Sequence, residues 1–249
     1  LLMIMGFAGQ ASSWSERFLE LLRPHFRIIR FSNRGTGLTD KPHVEYSVRM
    51  MADDAAGLLE ALGIGRAHVM GISMGGMIAQ ELALNHAERV QGLVLGCTTP
   101  GGSLRVQASP EVLALLMPVP GASPEEQFRK AWLAIVAPEF IEREREFLEE
   151  MLHIGLENMT PVDTMMRQGA ATQGFDTCDR LPQIETPTFI IHGDKDRLIP
   201  PQNADILHQR IPGSTVRMLP GAAHMFFWEM PAESAQSIVE FLSSVPATA

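Results

Sequence analysis

Six short apolar runs recur along the chain with helix-period segments between them, and this alternation limits the possible fold more than any other feature. The runs cover residues 1–5, 27–32, 67–71, 92–97, 188–192 and 215–219. They are nearly continuous in apolar or β-branched side chains, as parallel strands covered on both faces are. Between them, 16–22, 48–62, 74–85, 202–211 and 232–243 carry amphipathic helical spacing. Strand alternating with helix builds βαβ units, so the expected class is α/β with a doubly wound, mostly parallel sheet.

The alternation stops after Cys97. From about 103 to 179 no strand pattern is found, and Pro110, Pro118, Pro120, Pro124, Pro138 and Pro161 separate helical pieces that include the charged stretch 138–157. The simplest reading is a helical cap inserted between two strands of one sheet. It gives a first core part at 1–102, a cap at 103–179 and a second core part at 180–249. The charged stretch 139–150 reads as a solvated face with Glu/Arg pairs at helical spacing.

A chain of 249 residues, 45% apolar and 20% charged, has the size and make-up of one large soluble α/β domain. Its net charge of −9 is spread out and no block of five basic residues occurs, which argues against nucleic acid and anionic membranes as partners. No run of eighteen apolar residues exists to span a bilayer. Cys97 and Cys178 lie outside any CxxC or Cys/His cluster, so no zinc site is expected. Cys97 closes an apolar run and reads as a buried free thiol. Two unpaired cysteines suit a reducing compartment, so a cytoplasmic location is expected. The sequence opens inside an apolar run at Leu1, and further strands are expected before it.

Gly71-Ile72-Ser73-Met74-Gly75 fits the pattern G-x-S-x-G between a strand-like run and a helix-like segment. That context would place Ser73 on a sharp turn above the sheet edge, with a helix N-terminus behind it. A serine hydroxyl needs a base, and the base needs an orienting acid. After the run 188–192 come Asp194 and Asp196; after the run 215–219 comes His224. Both loops fall at the C-terminal ends of successive strands, on the edge that carries Ser73. Either aspartate could serve from this pattern. The other histidines lie in strands (His68, His192) or flank helices and loops (His25, His43, His86, His208), and His153 falls on a helix of the insertion.

With these residues the chain resembles the α/β-hydrolase superfamily over essentially all of its length. Phe31-Ser32-Asn33-Arg34-Gly35-Thr36-Gly37 is similar to the family's strand-end loop, with Ser32 where Asp is common. Asp196-Arg197-Leu198-Ile199-Pro200 resembles the family's acid segment, and His224 with Glu229 and Pro231 its histidine segment. The resemblance thus implies Ser73, Asp196 and His224 as the catalytic set. It also implies an oxyanion hole from the Phe7 and Met74 backbone N–H groups, although Met5-Gly6 stands where many relatives have His-Gly. The opening and the Asn-Arg-Gly-Thr-Gly loop look like the aclacinomycin methylesterase-type and acyl-homoserine lactonase branch.

The activity so implied is hydrolysis of a carboxylic ester or lactone without metal or organic cofactor. Enol-lactone, amide or carbon–carbon hydrolysis and cofactor-free perhydrolysis use the same scaffold, and a non-catalytic ligand receptor is the rival of another kind. A serine at position 73, where haloalkane dehalogenases have Asp, argues against that chemistry. The expected partner is a small molecule with an apolar part, since Met5, Trp132, Met165 and Met225 are placed to line a pocket. A monomer or homodimer is expected.

Overall fold

The computed structural model describes residues 1–246; the last three residues of the expected third segment lie outside them. Its centre is a six-stranded sheet in the order β2-β1-β3-β4-β5-β6, parallel throughout. The strands are β1 (Leu2–Ile4), β2 (Ile29–Phe31), β3 (Ala67–Ile72), β4 (Val90–Gly96), β5 (Thr188–Gly193) and β6 (Thr215–Leu219). All six expected runs become strands, with ends shifted by at most two residues.

Why the runs are apolar at every position follows from the layers. Met3, Met70, Ile72, Val94, Phe189 and Ile191 enter one apolar cluster, whereas Leu2, Ile4, Val69, Leu93, Leu95 and Ile190 enter a second on the opposite face. The alternation of side chains along a strand sends neighbours to opposite faces, and here both faces are dry. The first cluster is covered by α1 (Glu16–Leu22), α10 (Phe226–Glu229) and α11 (Pro231–Ser244), with Trp14, Phe18 and Phe227 in mutual ring contact. The second is covered by α2 (Val48–Ala61), α3 (Met74–Asn85) and α9 (Gln202–Arg210). Each fully buried leucine or isoleucine contributes about 1.5–3 kcal/mol to this arrangement.

Between β4 and β5 the chain forms five helices: α4 (Pro110–Leu116), α5 (Pro124–Ile135), α6 (Pro138–Arg143), α7 (Arg145–Glu157) and α8 (Val162–Gln173). Pro110, Pro124 and Pro138 each sit in the first helical turn, where the missing N–H costs nothing. Ser123 and Glu126 add a reciprocal capping box to α5. The charged stretch 138–157 is two helices rather than one piece. The break falls at Glu144, whose carboxylate bonds Arg17 of α1 at 2.8 Å. Among the described residues no helix is long and apolar enough to cross a membrane.

From β1 the chain crosses to β2 on one side, then returns to β3 and proceeds to the other. The strand order therefore reverses between β1 and β3, where Ile4 and Gly71 are register partners. A crevice opens at the C-terminal ends of strands at such a switch point.

Candidate functional site

Ser73 follows β3 directly and has φ 54° and ψ −123°, a conformation that L side chains rarely adopt. Its neighbours make this possible. A Cβ on Gly71 would lie 2.1 Å from the Gly75 carbonyl oxygen, and one on Gly75 would lie 2.1 Å from the Ile4 carbonyl oxygen. Larger residues would push α3 off the sheet. The turn is held by Ser73 N–H to Gly96 O at 2.9 Å and by Thr98 Oγ1 donating to Ser73 O at 2.7 Å. Met74 opens α3, so its N–H falls in the turn that has no helical acceptor.

Gly6 to Gly9 pass beside this turn. A Cβ on Gly6 would meet Ser73 Cβ at 3.0 Å and Oγ at 3.6 Å. Gly9 N–H donates to Gly6 O at 3.2 Å, and Ala8 has φ 55°. Asn33, fully buried, donates from Nδ2 to Met5 O at 2.8 Å, and Ser32 Oγ accepts from Ala11 N–H at 3.1 Å. The strand-end loop that the sequence singles out thus braces the segment beside Ser73. Arg34 is held in turn by two bonds to Asp54, at 2.5 and 2.6 Å.

The loops after β5 and β6 are laced together. Asp194 N–H donates to Leu219 O at 3.2 Å, Lys195 N–H to Ala222 O at 2.9 Å, and Asp194 Oδ1 accepts from Gly221 N–H at 2.7 Å. Asp194 is exposed and bound to this backbone, whereas Asp196 is buried and its Oδ2 lies 2.8 Å from His224 Nδ1. Of the two carboxylates, Asp196 is the one placed against His224. Asp196 Oδ1 accepts from Leu198 and Ile199 N–H, both at 2.9 Å. His192 Nε2 approaches Oδ2 at 3.2 Å while donating to Ile199 O at 2.8 Å.

Burial disfavours charge on Asp196, but the His224 charge and the hydrogen bonds from both histidines outweigh it and hold the carboxyl down at about 2. Burial likewise pushes His224 down, yet the adjacent carboxylate outweighs it and raises the imidazole well above its ordinary 6.5. Cys97 is the third neighbour. Its Sγ, an Asp196 oxygen and a His224 ring nitrogen lie within 4.8 Å of one another, and the thiol also faces the Ser73 backbone N–H. Burial pushes this thiol up, so at neutral pH it is uncharged and the field on His224 is that of Asp196. These three donors lie close enough for one cation, but Asp196 is already bonded to His224 and to the Leu198 and Ile199 backbone N–H groups.

Asp196 and His224 are therefore joined directly, while Ser73 is tied through its N–H to Gly96 O, at the strand end that carries Cys97. Among the described residues no hydrogen bond links the Ser73 hydroxyl to the imidazole. Such bonds are commonly long without substrate and form in its complex. Met5, Trp132 and Met225 are buried in the first apolar cluster, whereas Met165 is half-buried on α8 and Phe7 is 43% exposed. His153 lies on the exposed face of α7. Sequence reading leaves out the contacts of Cys97, His192, Thr160 and Gln168. Nothing near them in the chain signals these contacts, because their partners lie elsewhere in sequence or on the far side of a turn.

Comparison with known proteins agrees with this fold. A model of the "Alpha/beta hydrolase family" matches residues 1–237. The chain is 30% identical over 250 residues to "Putative carbamate hydrolase RutD" of Caulobacter sp. (strain K31), covering 96% of this chain and 88% of the relative. It is 28% identical over 255 residues to "Putative non-heme chloroperoxidase" of Synechocystis sp., covering 97% and 90%. Among solved structures it superposes on a thermophilic esterase from Thermogutta terrifontis with TM-score 0.83 and 26% identity, covering 99% of this chain and 90% of that one.

Proposed function

Since the chain belongs to the alpha/beta hydrolase family, we propose that it is a serine hydrolase that cleaves a carboxylic ester or lactone through an acyl-enzyme on Ser73. The observation that carries this reading is the buried 2.8 Å pair of Asp196 and His224, set on the same sheet edge as a strained serine at the turn after β3. A receptor has no use for a carboxylate kept charged against an imidazole behind a half-buried hydroxyl.

In this mechanism Ser73 Oγ attacks the carbonyl carbon and His224 takes its proton. Asp196 holds the imidazole tautomer and stabilises the imidazolium. The tetrahedral oxyanion accepts from the N–H groups of Phe7 and Met74. Loss of one such donor typically costs about 10²–10³ in turnover. His224 then returns the proton to the leaving oxygen and activates the water that releases the acyl group. Exposed Phe7, which stands beside Gly169 of α8, and exposed Met159, Val162 and Met166 offer an apolar rim for a small-molecule substrate. Of the four candidate pocket residues Met165 has the most exposed surface, and Met5, Trp132 and Met225 would support the pocket from beneath.

The test is a fluorophosphonate probe read by intact-mass and peptide mapping, followed by nitrophenyl esters of graded chain length, lactones and aryl carbamates. Labelling confined to Ser73 with turnover of esters or lactones is expected. A folded protein that takes no adduct overturns the serine mechanism, and turnover of carbamates alone overturns the substrate class.

A further inference from the structure

Ala8 is not glycine, yet it holds φ 55° in the loop beside Ser73. Such a residue needs outside restraint to stay there. Both of its backbone groups are held by the helical insertion, about 150 residues away in sequence. Its N–H donates to Gln168 Oε1 at 2.9 Å, and its carbonyl accepts from Thr160 Oγ1 at 3.0 Å. Gln168 is fully buried, and its Nε2 donates to Arg34 O at 3.0 Å, so the amide is fixed at both ends between two loops of the core. Within the loop itself, among the described residues, the only closing bond is Gly9 N–H to Gly6 O, at 3.2 Å.

We infer that Gln168, supported by Thr160, is a positioning residue for the oxyanion hole, and that the insertion thereby sets the direction of the Phe7 N–H. The Phe7 N–H shares a peptide plane with Gly6 O, which is aimed by Gly9. The next plane carries the Ala8 N–H and is aimed by Gln168. If Ala8 relaxes to negative φ, the turn opens, Gly9 leaves Gly6 O, and the Phe7 N–H swings away from Ser73. The insertion is then a working part of the catalytic geometry as well as a cover. The inference rests on the acyl-enzyme reading for its chemistry, and on the hydrogen bonds alone for the restraint.

The experiment compares wild type with Gln168→Leu, Thr160→Val and Thr160→Ser by hydrogen–deuterium exchange of a peptide spanning residues 5–10, and by ester hydrolysis. Because Gln168 is fully buried, Thr160→Val at the rim decides the matter if the leucine variant does not fold. Exchange in the 5–10 peptide should rise about tenfold or more in the Leu and Val variants. Turnover kcat should fall about 10–100-fold with KM held within about threefold, and affinity for a boronate mimic of the tetrahedral state should fall in step. Thr160→Ser should restore both. Unchanged exchange overturns the restraint, and faster exchange with unchanged kcat, or with loss confined to KM, overturns the positioning role. Faster exchange in a protein whose wild type neither hydrolyses esters nor labels at Ser73 supports the restraint while the acyl-enzyme reading fails.

Discussion

His192 and His224 converge on the same oxygen of Asp196, at 3.2 and 2.8 Å. The other oxygen takes two backbone N–H groups, so every side of a buried carboxylate is occupied by a donor. A charge so placed is stabilised without water, and it can act on His224 through a low-dielectric path.

The first consequence is a pH profile. The base must be neutral to accept the serine proton, and its pKa lies well above 6.5, so kcat/KM should fall on acidification with a midpoint above that value. Asp196→Asn should lower the midpoint and reduce kcat about 10⁴-fold, because an amide presents the wrong tautomer partner. The Asp196 carboxyl sits at about 2, below its ordinary 3.8. Its contribution to stability, about 2 kcal/mol, is therefore present above the ordinary value and lost as pH falls toward the folded one. A profile flat into the acid range would contradict His224 as the base.

His192 separates stability from turnover. Its Nδ1 is buried without a partner, which costs about 1–3 kcal/mol, while its Nε2 serves Ile199 and Asp196. Leucine at 192 removes the orphan and both bonds together. Stability should change by less than about 1 kcal/mol by denaturant titration, whereas kcat should fall about tenfold as Asp196 loses a donor. Equal turnover in the variant would show that His192 does nothing for the acid.

Strain at Ser73 predicts an asymmetry between two inactive variants. Ser73→Gly relieves φ 54°, and Ser73→Ala does not. The glycine variant should be more stable than the alanine variant by about 1 kcal/mol in thermal melts, despite the greater freedom of its unfolded chain. Gly75→Ala, which would place a Cβ 2.1 Å from Ile4 O, should not yield folded protein. An alanine at 75 that folds and hydrolyses esters would remove this account of the turn.

Cys97 and Cys178 are both buried free thiols, and burial pushes each up. Iodoacetamide should add to neither in the native protein near neutral pH, and to both after denaturation, as counted by intact mass. Native alkylation of Cys97 with loss of turnover would mean that the interior around His224 opens readily.

What the sequence makes legible follows distance along the chain. Ser73 is readable because Gly71, Gly75, a strand and a helix all lie within a few residues of it. His224 is readable from its order after β6, but preferring Asp196 over Asp194 needed a resemblance, and what separates them physically is burial. The prolines of the insertion read as separators, whereas the structure uses three of them to start helices. The break at Glu144 and the four-residue α10 leave no periodic trace, since one is a single non-helical residue and the other is shorter than two turns. Met5, Trp132 and Met225 are plainly apolar, but periodicity does not distinguish a pocket wall from a core. The Ala8 restraint is invisible for the same reason, because its partners are 152 and 160 positions away.

Glu229 supplies the remaining prediction. It accepts from Ala223 N–H, beside His224, and from Ala137 N–H, between α5 and α6, both at 3.0 Å. With Met225 N–H bonded to Ile135 O at 2.9 Å, it ties the histidine loop to the insertion. Burial outweighs these two donors and raises its carboxyl to about 7, and a cleft of about 430 Å³ along one side gives it access to protons. A carboxyl raised from 4.5 to about 7 stabilises the folded state fully below the lower value. That contribution, about 3 kcal/mol, is lost as pH rises through the upper one. Wild-type stability should therefore decline between the two values by this amount relative to Glu229→Gln. The variant should start lower by about 1–3 kcal/mol on the acid side, where its amide faces an N–H, and match or exceed wild type on the alkaline side. Urea titrations across that range decide it: parallel curves for the two proteins would mean that Glu229 stays charged throughout and that the tie between insertion and histidine loop does not respond to pH.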